Sequence, residues 1–298
     1  MDLSKLKENR GARPTVTIVG SGICGMFTGL ALDRRGFDVT IIERDTPPPD
    51  CSANEAFFSW QRRGVAQFRH PHAFLGLMCS VLEENYPDLL EHFFNAGARK
   101  VSFEDSVPDH LRPQYKPEPG DEKMWVLMCR RATMETVLRK YVTQTTRVTI
   151  KNRISVTDII TKENDLQDVV VEGLRVVDHD NNNEKSELFS DIVIDSTGRS
   201  SKFSKWLSNC GIDITEERDD AEIVYYTRHY CLKDGVPEPP RDAKNPSMGD
   251  LGYMKYGIFP GDGGHFALII CLPNEEKELR EAIKSGEKFD EIGMTIPG

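Results

Sequence analysis

One stretch near the N-terminus restricts the possible folds more than any other: Thr15 to Val19 (TVTIV), then Gly20-Ser21-Gly22-Ile23-Cys24-Gly25, a helical run, and Asp38 to Glu43 (DVTIIE). The β-branched run reads as a strand buried on both faces, and it stops at Gly20. From Ile23 to Arg35 the apolar residues Ile23, Met26, Phe27, Leu30 and Leu32 recur at helical spacing, and Gly36 supplies a C-terminal stop. Strand, helix and strand within about 30 residues form a βαβ unit. Its parallel strands need a helical crossover and cover on both faces. The expected fold class is therefore α/β, with a Rossmann-like domain at the N-terminus.

The glycines carry chemistry as well as shape. Gly20 permits a tight turn, Gly22 lets the backbone approach a pyrophosphate, and Gly25 allows the helix to pack closely on the strand. The helix N-terminus then offers free N–H groups and a partial positive charge to phosphate. Glu43, at the end of the second strand, is placed to accept hydrogen bonds from ribose hydroxyls. Strand, glycines, helix and acid together predict dinucleotide binding. The Glu43 carboxylate disfavours a 2′-phosphate, with Arg44 beside it acting in the opposite sense, so FAD and NAD remain open.

The chain has 298 residues and a formal charge of −10, from 38 basic and 48 acidic side chains. That length suits one large domain or two ordinary ones. Its charge repels phosphate backbones, so nucleic acid is not an expected partner. No segment has the pattern of a secretory signal or a membrane span, which makes a cytoplasmic location without membrane insertion the expectation. The seven cysteines (Cys24, Cys51, Cys79, Cys129, Cys210, Cys231 and Cys271) are scattered, with no C-x-x-C pair, and read as reduced, mostly buried thiols.

Beyond the βαβ unit, Arg44 to Ser59 reads as a proline-containing loop, and Val81 to Ala96 as two helices divided at Pro87. Met124 to Met128 reads as a strand leading into a helix from Ala132 to Val142. A β-region with polar turns follows, ending in Phe189 to Asp195. After Gly211 come alternating runs, Ile223 to Leu232, Gly252 to Phe259 and His265 to Leu272, which suit an antiparallel sheet. The expected division is a cofactor domain over residues 1–210, with a helical insertion at about 76–122, and a β-sheet substrate domain over 211–298.

The run GSGICGMFTGLALDRRGFDVTIIER, with Gly29 extending the glycine pattern, resembles the N-terminal FAD fingerprint of the flavoprotein aromatic hydroxylases, the para-hydroxybenzoate hydroxylase-like monooxygenases. Two further segments match in order. Cys129-Arg130-Arg131-Ala132-Thr133-Met134-Glu135 resembles the family's R-x-x-L-E segment, whose arginine lies against the flavin. Arg131 is the implied contact and Arg130 an equal alternative. Asp195-Ser196-Thr197-Gly198-Arg199-Ser200-Ser201 resembles the D-A-T-G-R-x-S form of the second FAD segment, although Asp195 and Gly198 also suit ordinary capping and turn roles.

The resemblance implies an NAD(P)H-dependent monooxygenase that reduces FAD, adds oxygen at flavin C4a, and hydroxylates or epoxidises a small organic substrate. Tyr225 or Tyr253 would line the substrate pocket. Related alternatives are a flavin-dependent polyprenyl reductase or an NAD-linked oxidoreductase, and, in another class, a non-catalytic FAD-binding fragment. The family's third segment, a strand ending in Gly-Asp that binds ribityl and pyrophosphate, has no counterpart here. Gly261-Asp262 sits in GDGG between two alternating runs and reads as a hairpin turn. The expectation is a C-terminally incomplete member whose FAD domain lacks a strand. Arg69-His70-Pro71-His72 lacks partners at metal-ligand spacing, so no metal is expected; His70 or His72 would line the pocket or lie in an exposed loop.

Overall fold

The computed structural model describes residues 13–50, 52–107, 111–163, 168–239 and 247–296. The polar lead-in through residue 12, Cys51 and the final Pro297-Gly298 lie outside the described residues. In chain order the strands are β1 (Thr15–Val19), β2 (Asp38–Ile42), β3 (Pro71–Phe74), β4 (Arg99–Val101), β5 (Val126–Arg130), β6 (Thr149–Lys151) and β7 (Ile154–Glu163). They continue as β8 (Val169–Asp178), β9 (Glu184–Phe189), β10 (Ile192–Asp195), β11 (Ile223–Cys231), β12 (Met248–Asp250), β13 (Lys255–Pro260) and β14 (His265–Pro273). The helices are α1 (Ile23–Arg34), α2 (Ala53–Ser59), α3 (Gly76–Asn85), α4 (Pro87–Asn95), α5 (Phe103–Ser106), α6 (Arg131–Thr145), α7 (Phe203–Asn209), α8 (Lys277–Ala282) and α9 (Gly286–Thr295).

The chain divides into two compact units. The first comprises the residues through Ala66 together with Glu135–Glu217. Its central sheet is parallel throughout, in the order β10-β1-β2-β6. Successive side chains of a strand point to opposite faces, and β1 and β2 use both. On one face α1 packs so closely that a Cβ at Gly29 would lie 3.0 Å from Ile41 Cδ1. That approach accounts for the fourth glycine of the fingerprint. On the other face Val19 and Ile42 join Ile159, Leu174 and Val176 in one core, covered by the antiparallel sheet β7-β8-β9 and by Phe203, Trp206 and Leu207 of α7. These are the two covered faces that a continuous apolar strand requires.

The second unit comprises Gln67–Met134 with Arg218 onward. It contains the antiparallel sheet β11-β14-β13-β12 and the smaller sheet β3-β5-β4. Ile270 and Leu272 of β14 pack with Met254 of the β12–β13 turn, with Ile283 and with Phe289 of α9. Pro87 starts α4 in its first turn, where its missing N–H costs nothing.

The structure differs from the expected division in one respect. The break falls at 217/218, near the expected boundary, but residues 67–134, expected within the cofactor domain, cluster with the C-terminal sheet. Local periodicity finds elements and says nothing of which sheet completes their burial. Two smaller expectations also change. Part of the Arg44 to Ser59 loop is helix α2, started by a capping box in which Ser52 and Glu55 satisfy each other's backbone N–H. Tyr225 and Tyr253 are exposed, at 55% and 51%, whereas Tyr226 and Tyr256 turn inward. Tyr225 and Tyr226 are adjacent, and a one-residue change of phase exchanges the faces of a strand.

Candidate functional site

The glycine loop lies where β1 ends. Gly20 has φ +102°, and a Cβ there would come 2.7 Å from the Ser196 carbonyl oxygen. At Gly25 a Cβ would come 1.9 Å from the Gly20 carbonyl oxygen, so helix and turn meet only because both positions are glycine. Gly22 is different: a Cβ there would meet nothing within 4 Å. Its open side adjoins the N-terminus of α1, where Gly22 is the N-cap, no side chain caps the helix, and the first turn holds no acid. Helix N–H groups without an internal partner beside an open backbone suit a bound anion.

The second segment arrives at the same place. β10 pairs with β1 so that Asp195 stands opposite Val19, and the Ser196 N–H donates to the Val19 carbonyl at 2.8 Å. From β1 the chain moves to β2 on one side, while β10 lies on the other. The glycine loop and Asp195–Gly198 therefore flank a topological switch point at the carboxyl ends of the strands, the position where open α/β sheets bind ligands. Asp195 organises its own turn, accepting from the Thr197 N–H at 2.9 Å, the Thr197 hydroxyl at 2.6 Å and the Ser201 hydroxyl. Gly198 follows with φ +72° and open space around it.

Beneath the loop is a set of buried charges. Glu43 is 6% exposed. Its Oε2 accepts from the Ser21 N–H at 2.9 Å and the Ser21 hydroxyl at 2.8 Å, and pairs with Arg62 Nη1 at 3.0 Å; Oε1 accepts from the Asp45 N–H at 3.0 Å. Arg62 also reaches Glu135 at 3.0 Å, Asp45 at 3.3 Å and the Ser21 carbonyl at 3.4 Å, with its guanidinium carbon 4.9 Å from the Trp60 ring centroid. Arg139 donates to the Ser21 hydroxyl at 3.2 Å and to Asn152 at 2.6 Å. Burial pushes the Glu43 carboxyl up, but the Arg62 charge and the hydrogen bonds from Asp45 and Ser21 outweigh it and hold the pKa at about 2. Burial and the neighbouring Arg62 lower Arg139 to about 10. Arg44 is exposed, its Nη2 lying 3.4 Å from a Cβ placed on Gly64.

Arg130 and Arg131 lie in the second unit. Arg130 is 3% exposed and closed on Asp262 of the β13–β14 turn, with Nη2 to Oδ2 at 2.6 Å and the Arg130 backbone N–H to Oδ1 at 2.9 Å. Asp262 Oδ2 also accepts from the Thr133 hydroxyl at 2.8 Å, so the aspartate ties the turn to the start of α6. The reading of GDGG as a hairpin turn holds, since β13 and β14 pair antiparallel across it. Arg131, half-buried, opens α6. His70 Nδ1 lies 2.8 Å from Thr227 Oγ1, and His72 Nδ1 donates to the His70 carbonyl at 2.8 Å. Burial lowers both histidines, His72 to about 4.

Arg62, Asp45 and Arg139 carry this geometry without having stood out in the sequence, whereas Ser21, Glu135 and Asp262 lay within segments already singled out and had no charge-pairing role read for them. Glu135 and Arg139 are four apart on α6, which on sequence alone reads as a solvated ion pair. The described cysteines divide: Cys79 and Cys129 are buried, Cys210 and Cys271 half-buried, Cys24 and Cys231 exposed. Among the described residues no group of three or more His, Cys, Asp or Glu could hold a metal ion, and no helix is long and apolar enough to cross a membrane.

Residues 18–95 match the family model of the NAD(P)-binding Rossmann-like domain. A search of curated proteins finds no match in sequence. Among solved structures, the chain is similar to PqsL, a probable FAD-dependent monooxygenase from Pseudomonas aeruginosa, with TM-score 0.61, 15% identity, and coverage of 91% of this chain and 63% of that one. It is similar to the flavin-dependent brominase Bmp2 (TM-score 0.62, 17% identity, 96% and 62% covered). It is also similar to p-nitrophenol 4-monooxygenase PnpA from Pseudomonas putida DLL-E4 (0.58, 14%, 93% and 62%). The chain thus spans 63% of the length of PqsL. At these identities the likeness is one of fold: a Rossmann-like α/β domain with a second, antiparallel-sheet unit, the architecture of FAD-dependent monooxygenases and halogenases.

Proposed function

We propose that the chain binds FAD, with its pyrophosphate at Gly20–Gly25 and the N-terminus of α1, and acts as an NAD(P)H-dependent monooxygenase on a small organic substrate. The observation that carries this reading is the apposition of Gly20 and Ser196 at the switch point of the parallel sheet. The open side of Gly22 and the uncapped helix fit a pyrophosphate. When bound, FAD supplies the redox chemistry, taking hydride from the nicotinamide and activating oxygen. The chain's own part is to bind and orient: the helix N–H groups hold negative charge, and the Asp195–Gly198 turn borders the same opening. No side chain is assigned an acid–base step. The substrate would be taken by the second unit, whose four-stranded sheet presents an exposed edge strand and half-buried polar groups such as Thr227.

The test is the visible spectrum of the purified protein, with and without added FAD, followed by NAD(P)H oxidation in the presence of phenols and other electron-rich aromatics. A flavin band lost on Gly22→Val supports the assignment. Retention of NAD with no flavin binding overturns it in favour of an NAD-linked oxidoreductase. Flavin binding with no substrate-stimulated NAD(P)H oxidation supports the cofactor and refutes the proposed reaction.

A further inference from the structure

The β8–β9 turn of the first unit holds a chain of hydrogen bonds that the dinucleotide reading leaves unused. Ser155, near the start of β7, has its Oγ 2.8 Å from Nε2 of His179, and Nδ1 of the same ring lies 2.7 Å from Asn183 Oδ1. The direction of the chain follows from its last link. An amide oxygen only accepts, so Nδ1 carries the ring proton and donates to Asn183, and the Nε2 lone pair accepts the Ser155 hydroxyl. Nucleophile, base and orienting group thus stand within hydrogen-bond reach in the order that activates a serine. Asparagine fills the third place in Cys-His-Asn sites as well.

The backbone fixes the three positions. The His179 N–H donates to the Arg153 carbonyl at 2.9 Å, and the Ile154 N–H donates to the Glu43 carbonyl at 2.9 Å, which ties the start of β7 to the residue after β2. Arg153 Nε donates to Asp180 at 2.5 Å. Asn182 and Asn183 have φ 50° and 58°, a conformation that asparagine enters more readily than most residues. His179 and Asn183 are exposed and Ser155 is half-buried, so the hydroxyl is within reach of solvent.

We propose that Ser155 is a nucleophile toward activated acyl donors, with His179 as its general base and Asn183 as the positioning residue of that imidazole. In acylation Ser155 Oγ bonds to the acyl carbon while its proton passes to His179 Nε2. The bond from that carbon to the leaving alcohol or thiol breaks, and the leaving group takes the proton from His179. Water then attacks the acyl carbon and gives a proton to the same nitrogen, which returns it to Ser155 Oγ as the carboxylic acid departs. The turn residues Asp178, Asp180, Asn181 and Glu184 are polar, so reactivity rather than shape selects the donor. The expected substrates are small aryl esters and thioesters. This site is separate from the dinucleotide assignment, and neither depends on the other.

The test uses the purified chain with p-nitrophenyl acetate and with a fluorophosphonate probe, read as p-nitrophenol release and as the labelled residue in mass spectrometry. The expected result is label on Ser155 and ester hydrolysis roughly tenfold or more above that of Ser155→Ala, with His179→Gln falling to the same low rate. Asn183→Ala, which frees the ring to turn, should lower both readouts. Asn183→Asp offers only acceptors to Nδ1 and should restore or exceed the wild-type rate, at an unchanged melting temperature in both variants. Hydrolysis undiminished in Ser155→Ala, or Ser155 labelled as fast in His179→Gln as in the wild type, overturns the proposal. Equal rates in Asn183→Ala and Asn183→Asp overturn the role of Asn183.

Discussion

Arg62 in the first unit and Arg130 in the second are both buried arginines that pin a glycine-containing turn, yet their partners differ. Arg130 pairs with Asp262, which also accepts from the Arg130 backbone N–H and the Thr133 hydroxyl. Arg62 serves three carboxylates on three segments, and with Arg139 it leaves an excess of one acid in a buried cluster. Where two charges neutralise each other, removing both leaves no uncompensated charge. A shared arginine cannot be removed without leaving several buried charges behind. The comparison therefore separates a structural fastener from a group whose loss reaches the glycine loop.

The largest expected effect follows from breaking the shared site. Arg62→Met leaves Glu43, Asp45 and Glu135 buried with Arg139 as the neighbouring cation, and a loss of about 4 kcal/mol in urea unfolding is expected. Asp262→Ala should cost about 3 kcal/mol, and Asp262→Ala/Arg130→Met should recover the part due to the stranded Arg130 charge, with the Thr133 hydroxyl and the Arg130 N–H still lacking their acceptor. A double variant as unstable as the single one would show that Arg130 is not confined to its pair.

Acid should separate the units as well. His70, His72, His229 and His265 all have lowered pKa values, through burial first. The folded form therefore refuses protons that the unfolded chain takes up near 6.5, and their contribution is complete above that pH and lost as it falls, for His72 down to about 4. Glu43 behaves in the later window: its contribution stands above its ordinary 4.5 and is lost as pH falls toward about 2. Hydrogen exchange at pH 7 and pH 5 should show the second unit losing about 2 kcal/mol while the first holds, and His72→Phe should blunt the change. Equal losses in both units would break the comparison. The smallest effect is Gly22→Ala, which should change stability by less than about 1 kcal/mol because no atom lies near its Cβ, whereas Gly25→Ala forces the helix from the turn.

Much of the first unit was legible because its signals are local. TVTIV, the glycines and DVTIIE each impose their conformation within a few residues, and the structure places β1, α1 and β2 on them. The join between Gly20 and Asp195–Gly198 was legible only through resemblance, since nothing in either segment states its distance from the other. Helix α2 had an overlooked local signal in Ser52 and Glu55. The inward tyrosines had none, because adjacent aromatics leave the phase of the strand undecided.

The sequence by itself determined the βαβ unit, the glycine turn, the antiparallel hairpin around GDGG and the net negative charge, all consequences of neighbouring residues and composition. Tertiary structure alone decided which charges are buried and with whom. Glu43 accepts from Ser21 and pairs with Arg62, from the segment after α2, while Arg139, from α6, reaches the Ser21 hydroxyl. It also assigned residues 67–134 to the C-terminal sheet. The physical reason is common to both: a backbone preference is settled within a turn, while desolvation and charge pairing depend on partners far along the chain.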